Sequence, residues 1–252
     1  MKNILLKAIF YCFAMTFATI FTTKLFAQTT DSTQTKNLTK KILSKDTTKI
    51  VKWYLYTGMG GVAYNGDLES YGRWSGMFHV GVQTYHNKRV NPRFEAFYGL
   101  VSGQNSTYSF ENQSPNKFFQ THLFGISANA QINIFKTNIF NIYISQGLGL
   151  AGFLVYDKNG NDLANQTQTR ALGEVLPTTT LFLPTSIGGN AFFQNRFGVG
   201  LEIGLLNTMT DYIDNIAKLS IKDGNDNLMR IKFSFFAPII WKEIVKNAIT
   251  NK

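Results

Sequence analysis

The sequence predicts an all-β chain: an eight-stranded antiparallel transmembrane β-barrel of the outer-membrane type. Three observations predict it. About eight runs alternate apolar and polar residues, the period of strands with two unlike faces. The joins are alternately short, as at Asn195-Arg196 and residues 134–138, and long, as at 156–177 and 209–228. That is the pattern of periplasmic turns and extracellular loops. Beyond an N-terminal leader, no segment reaches the roughly 20 apolar residues of a membrane helix. A chain of this kind can then cross a bilayer only as a closed barrel, which pairs all its backbone polar groups.

Residues 1–27 read as a signal peptide. Lys2 and Lys7 form a basic start, Ala8 to Phe21 is mostly apolar, and Leu25-Phe26-Ala27 offers a small residue for cleavage before Gln28. The 16 residues between Lys7 and Lys24 include four threonines, which disfavours an uncleaved anchor. Residues 28–52 are rich in Thr and Lys, with Lys36, Lys40, Lys41, Lys45, Lys49 and Lys52. They predict a flexible periplasmic tether; the functional alternative is contact with an acidic periplasmic partner.

The barrel is expected over residues 53–240, followed by a periplasmic tail at 241–252. Its runs lie near 53–64, 74–85, 92–102, 118–133, 139–155, 178–193, 196–208 and 228–240. The second sets Phe78, Val80 and Val82 against Met77, His79, Gly81 and Gln83. The third places Phe94, Ala96, Tyr98 and Leu100 outward, with Arg93 and Glu95 inward. In the fourth, Phe124, Ile126, Ala128 and Ala130 oppose Gly125, Ser127, Asn129 and Gln131. The seventh is the clearest: Phe197, Val199, Leu201, Ile203 and Leu205 share one face; Gly198, Gly200, Glu202 and Gly204 share the other. The eighth turns Ile231, Phe233 and Phe235 outward and Arg230, Lys232 and Ser234 inward. No outward face carries a charge, and a Lys or Arg at mid-membrane there would cost about 2–4 kcal/mol. Small and polar inward residues suit a barrel whose eight strands leave room only for side chains.

Loops 65–73, 103–116, 156–177 and 209–228 are expected outside the cell. Turns near 86–91, 134–138 and 194–195 are expected in the periplasm. Trp53, Tyr54, Tyr64, Trp74, Tyr85, Tyr156 and Trp241 stand at run ends, where amphipathic rings form interfacial girdles. Pro184 should lie at a strand end or bulge, because a barrel has no free edge; the sixth strand is therefore expected to begin near Thr185.

The formal charge of +10 becomes +7 once Lys2, Lys7 and Lys24 leave with the leader. In an exported chain this does not point to nucleic acid. The expected partners are outer-membrane lipid and periplasmic or outer-membrane proteins. The single cysteine, Cys12, lies in the leader, so the remainder has no disulfide, thiolate metal site or N-terminal lipid. His79, His86 and His122 lack metal-ligand spacing, and Ser75, Ser127 and Ser145 have no sequence link to a base. Gly58, Gly60 and Gly61 belong to an alternating strand rather than a phosphate-binding loop. No catalytic residue, cofactor or metal is therefore assigned.

Two groups remain. Arg93, Glu95, Glu202, Arg230 and Lys232 all face inward and must pair, because unpaired buried charge is costly; the functional alternative is an ion or proton path. Thr210-Asp211-Tyr212-Ile213-Asp214-Asn215 opens the last long loop. Its Thr, Asp and Asn can order a turn, with Tyr212 packed and bonded; the functional alternative is a partner-docking knob.

Two segments carry a resemblance. One runs through Leu183-Pro184, Gly188-Gly189, Asn195-Arg196-Phe197, Gly200-Leu201-Glu202-Ile203-Gly204 and Thr210-Asp211-Tyr212-Ile213-Asp214. The other is Gly60-Gly61-Val62-Ala63-Tyr64-Asn65-Gly66-Asp67-Leu68. Together they resemble a family of Bacteroidota outer-membrane barrels that includes the PorG-type barrel of the type IX secretion and gliding machinery. This chain departs from that family after Glu-x-Gly, with Leu205, Leu206 and Asn207 where an arginine is frequent, and with Asn215 where a second aspartate is frequent. The resemblance implies a non-enzymatic, structural or accessory component of a cell-envelope assembly. A narrow porin-like channel or small-molecule carrier is the alternative, an envelope lipid-modifying enzyme the next, and a soluble lipocalin-like barrel the competitor for the fold.

Overall fold

The computed structural model describes residues 47–85, 89–111, 113, 115–222 and 224–245. The expected leader, most of the expected tether, His86 and residues 246–252 lie outside the described residues. Eight strands follow in chain order: β1 Thr47–Asn65, β2 Ser70–Thr84, β3 Val90–Gln104, β4 Phe118–Lys136, β5 Phe140–Tyr156, β6 Thr179–Phe192, β7 Gly198–Thr208 and β8 Asn227–Val245. Each pairs antiparallel with its sequence neighbour, and β1 pairs with β8, so the sheet closes. A closed sheet has no unpaired edge.

Several boundaries move. β1 starts at Thr47 because β8 runs on to Val245 and supplies a partner: Thr47 sits opposite Val245. The last six residues of the expected tether, and the first five of the expected tail, are therefore strand. β2 begins at Ser70 and β3 ends at Gln104, which shortens the first two long loops. Pro184 lies inside β6, not at its start. It keeps its place opposite Leu206 on β7, while the β5 ladder skips Leu183 and Pro184 between Phe182 and Thr185. The missing N–H of proline thus coincides with the gap on the β5 side.

Outward residues alternate as the pattern predicts, and many are large, apolar and exposed: Phe94, Phe124, Ile126, Leu148, Leu150, Ile187, Leu201, Ile203 and Phe233 among them. Such a wall, continuous around the barrel, is far beyond the apolar patches that water tolerates on a monomer. Among the described residues, no Asp, Glu, Lys or Arg interrupts it between the strand ends.

The lumen is filled in layers. The half at the long-loop end is apolar: Met77, Phe97, Leu123, Phe153 and Phe182 pack together and continue upward into Leu68, Ile213, Ile216 and Leu219 of the loops. The charged residues lie below them. Further toward the short-turn end come the amides Gln83, Gln131, Asn141 and Asn190, all fully or almost fully buried. The short-turn end is closed by Tyr54, Phe192 and Phe236 with Tyr85 against them. Ring centroids of Tyr54 and Phe192 are 4.9 Å apart, and those of Tyr85 and Phe192 4.4 Å.

This corrects the girdle assignment. Tyr54 and Tyr64 have the parity of Tyr56, so they point inward and are buried; Tyr85 leans onto the aromatic plug. Trp74 faces outward near the long-loop end, as do Tyr98 and Tyr156, where Tyr98 and Tyr156 flank His122. The Trp241 side chain lies outside what is described.

Candidate functional site

Two polar assemblies are built where inward parity meets the barrel axis. The lower one joins β1, β2, β3, β5, β7 and β8. Arg93 and Glu95 are two apart on β3, so both enter the lumen; Arg230 and Lys232 do the same on β8, and Glu202 on β7 sits opposite Lys232. Glu95 accepts from Arg93 Nη2 at 2.6 Å, Arg230 Nη1 at 2.8 Å and Lys232 Nζ at 2.7 Å. Glu202 accepts from Lys232 Nζ at 2.8 Å and Arg230 Nη2 at 3.4 Å, and it pairs closely with Arg93 Nη1. Each carboxylate therefore meets all three cations. Three cations against two carboxylates leave one surplus positive charge in a water-poor space.

Two tyrosines complete the set. Arg93 Nε donates to Tyr56 Oη at 2.7 Å, and Tyr56 Oη donates to Glu95 Oε2 at 3.1 Å. Tyr143 Oη donates to Glu202 Oε2 at 2.9 Å. The Arg93 guanidinium also lies 4.5 Å from the Tyr56 ring centre, within cation–π range. Gly81 makes room for that phenol: a Cβ there would fall 2.4 Å from Tyr56 Oη and 2.2 Å from the Phe94 carbonyl oxygen. Neither tyrosine was singled out in the sequence, although inward parity on β1 and β5 carried the signal.

Next to this network, His79 Nε2 and Ser234 Oγ are 2.8 Å apart. Both are buried, and His79 Nδ1 has no hydrogen-bond partner. Among the described residues no carboxylate is hydrogen-bonded to the ring. The pair joins residues 155 apart in sequence. Ser75, Ser127 and Ser145 lie elsewhere on the strands, and Ser127 bonds Asn129 rather than a histidine. His122 faces outward at the long-loop rim, its Nδ1 2.6 Å from Tyr98 Oη. Ser102, opposite Gln120, lies two pairs along the ladder from Leu100 opposite His122, so both pairs share the outer face.

The upper assembly is a cap made by the loops. Residues 209–226 fold down over the barrel mouth. Tyr64 Oη lies 2.6 Å from Asp214 Oδ2 and 2.7 Å from Asp226 Oδ1, and it accepts the Asp67 N–H at 3.1 Å. Asn116 donates to the Asp214 carbonyl at 2.8 Å, and Thr121 to the Ile213 carbonyl. Asn215 adopts a left-handed backbone, φ 74°, which asparagine tolerates. Its amide donates to Asn116 and Thr169 and accepts from Arg170 Nη1 at 2.6 Å. Tyr212 donates to Glu174 at 2.8 Å. The loop is thereby tied to the three other long loops at this end of the barrel.

Thr210, Asp214 and Asn215 are buried. Asp211 and Tyr212 are half-exposed. Tyr64 reads in the sequence as a girdle residue and Asp67 only as part of the resembling segment; Asn116, Arg170, Glu174 and Asp226, which complete the cap with them, were not singled out in the sequence, because each joins through contacts distant along the chain.

Burial raises several cap groups. Asp211 is pushed up to about 7, by desolvation first and then by Asp67 and Glu174. Asp214 is pushed up to about 8, chiefly by desolvation. Asp226 is held well above the carboxylate range by desolvation and by Asp214. The Tyr212 phenol rises to about 12 by desolvation and its bond to Glu174. Among the described residues, no group of three or more His, Cys, Asp or Glu is placed to hold a metal ion.

No protein-family model and no curated protein matches this chain. Solved structures similar to it include Ail, the attachment invasion locus protein of Yersinia pestis, in complex with the heparin analogue sucrose octasulfate. That likeness has 8% identity and a TM-score of 0.45, and covers 75% of this chain and 99% of that one. Neisserial surface protein A is 13% identical over 74% of this chain and 97% of its own, with a TM-score of 0.47. The outer membrane enzyme PagL is 13% identical over 74% of this chain and 99% of its own, with a TM-score of 0.34.

Proposed function

We propose that the chain is an integral outer-membrane barrel with a structural or accessory role in a cell-envelope assembly, neither a catalyst nor an open channel. The observation that carries this reading is the filled lumen. An apolar layer, a buried ion network and an aromatic plug lie in series between the two ends. A membrane location is supported by the uncharged apolar wall and by tyrosine and tryptophan at its extracellular margin. Heat-modifiable gel mobility in the outer-membrane fraction tests the location. Planar-bilayer recording of the purified protein tests the lumen: steady conductance would restore the porin-like alternative.

A protein partner is supported by the loop between β5 and β6. Leu172 and Val175 stand almost wholly exposed there, while Ala171 and Leu176 beside them pack against the core. The same loop is held by Glu174, which binds Tyr212 Oη and the Lys218 N–H. An apolar pair presented on an ordered base suits a protein contact. A tagged pull-down from native membranes checks it: Leu172→Asp with Val175→Asp should lose the partner and keep the barrel. Type IX secretion is the finer form of the reading, supported by the resemblance of the Gly200–Gly204 and Thr210–Asp214 segments. Unchanged type IX cargo export after deletion would remove it. His122 and Ser102 on the outer rim keep a lipid-modifying alternative in view, and mass spectrometry of lipid A after deletion decides it.

A further inference from the structure

The Tyr64 hydroxyl touches more acceptors than it has protons. It has one hydrogen, yet its oxygen lies 2.6 Å from Asp214 Oδ2 and 2.7 Å from Asp226 Oδ1. If the phenol donates to one carboxylate, the other contact needs a hydrogen of its own. The remaining oxygens are already used: Asp214 Oδ1 accepts the Ile216 N–H at 2.9 Å, and Asp226 Oδ2 accepts the Ile213 N–H at 2.8 Å. The phenol oxygen has two lone pairs. One takes the Asp67 N–H at 3.1 Å, and the other is free for a carboxyl O–H.

We propose that one carboxyl proton, shared between Asp214 and Asp226 across Tyr64, latches the 209–226 loop over the barrel mouth, and that its loss releases the loop. With that proton present, every oxygen in the group has a hydrogen to share. Without it, two buried carboxylates face one phenol, and one short contact becomes oxygen against oxygen.

The surroundings offer little to neutralise a second charge. Asp67, on the loop after β1, and Asp211, on the 209–226 loop itself, are both acidic, and both raise Asp214. Glu174, from the loop between β5 and β6, is bound by Tyr212 and the Lys218 N–H. Arg170, from that same loop, spends Nη1 on Asn215 and the Leu163 carbonyl. Lys222 Nζ is bonded to the Gly66 carbonyl. The Tyr108 phenol, from the loop between β3 and β4, donates to the Leu219 carbonyl at 2.8 Å. Gly66 itself sits against the latch: a Cβ would fall 1.9 Å from Tyr64 Oη and 2.1 Å from Asp226 Oδ1. The upward displacement of Asp214 and Asp226 has the same sense.

The sign follows from linkage. A carboxyl whose folded pKa is raised contributes stability that is full below its unfolded value, and that is lost as pH rises through the folded value. The latch therefore weakens on the alkaline side, about pH 8 for Asp214.

The test is amide hydrogen exchange of the full chain, folded in detergent, read as protection factors for Ile213, Ile216 and Asp226 from about pH 6 to about pH 10. Wild type should lose about tenfold or more of its loop protection across that range, while strand amides stay protected. Asp226→Asn should keep the loop protected throughout, because an amide N–H can donate to Tyr64 Oη and does not titrate. Asp214→Asn, with the same hydrogen count, is the second variant should the first not fold. A flat wild-type profile overturns the proposal, as does an amide variant that loses protection in parallel with wild type.

Discussion

At the scale of single residues, the charge count of the lumen sets a ranking. Removing either carboxylate leaves three cations to one carboxylate, whereas removing Lys232 leaves two arginines with two carboxylates. Breaking a buried pair costs about 3–5 kcal/mol. Glu95→Gln and Glu202→Gln should each destabilise by roughly that amount. Lys232→Met should cost clearly less. Urea unfolding from lipid vesicles measures all three, and equal losses would show that charge count does not govern the site. Asp211 permits a separate test. Its carboxyl, at about 7, is raised, so its contribution is lost as pH rises through that value. Asp211→Asn should erase a step near pH 7 in loop protection and leave the later step at Asp214, in the same exchange experiment. The five lumen charges were legible in the sequence because they share inward parity. Tyr56 and Tyr143 obey the same parity but read as ordinary strand aromatics, since nothing local marks a phenol as a hydrogen-bond partner of a distant charge.

At the scale of elements, alternation alone makes the outward faces of β2, β3, β4, β7 and β8 readable along the chain. It fails where both faces are apolar. Phe97, Leu123, Phe153 and Phe182 point inward in runs whose outward neighbours are also apolar, so no period separates plug from wall. It also fails at Thr47–Lys52, a Thr/Lys stretch whose strand state is supplied by the β8 partner rather than by its own pattern. The outer wall carries a polar exception near its middle. Thr185 Oγ1 donates to Gln146 Oε1 at 2.7 Å between β5 and β6, and Gln146 is exposed between Ile144 and Leu148. Its amide hydrogens make only a 3.4 Å contact with the Gly147 carbonyl. By protein mutational data an unsatisfied buried amide costs about 1–3 kcal/mol. Gln146→Leu with Thr185→Val should therefore stabilise the barrel in lipid vesicles by about 1 kcal/mol. A loss of stability there would place this part of the wall against water or protein instead of lipid.

At the scale of the whole molecule, the barrel is closed three times over. The cap with its apolar layer, the ion network and the periplasmic aromatic cluster each fill the cross-section at a different depth. The sequence announced the closed sheet but not the cap, because Tyr64 meets Asp214 and Asp226 across 150 and 162 residues, and such contacts exist only once β1 and β8 have paired. Barriers in series make a specific prediction about permeation. Phe192→Ala with Phe236→Ala removes much of the periplasmic plug, yet the ion network and apolar layer above it remain. Planar bilayers holding that variant should stay as silent as those holding wild type, even though the cavity should cost several kcal/mol of stability, about 3–5 per aromatic side chain. Conductance appearing in the plug variant alone would mean that the upper layers already admit water and ions, and that the aromatic cluster is the gate of a channel. Silence in the plug variant, joined to loss of loop protection at high pH, would locate the movable part of the molecule at its extracellular mouth. The barrel would then serve as a rigid frame for the loops it carries.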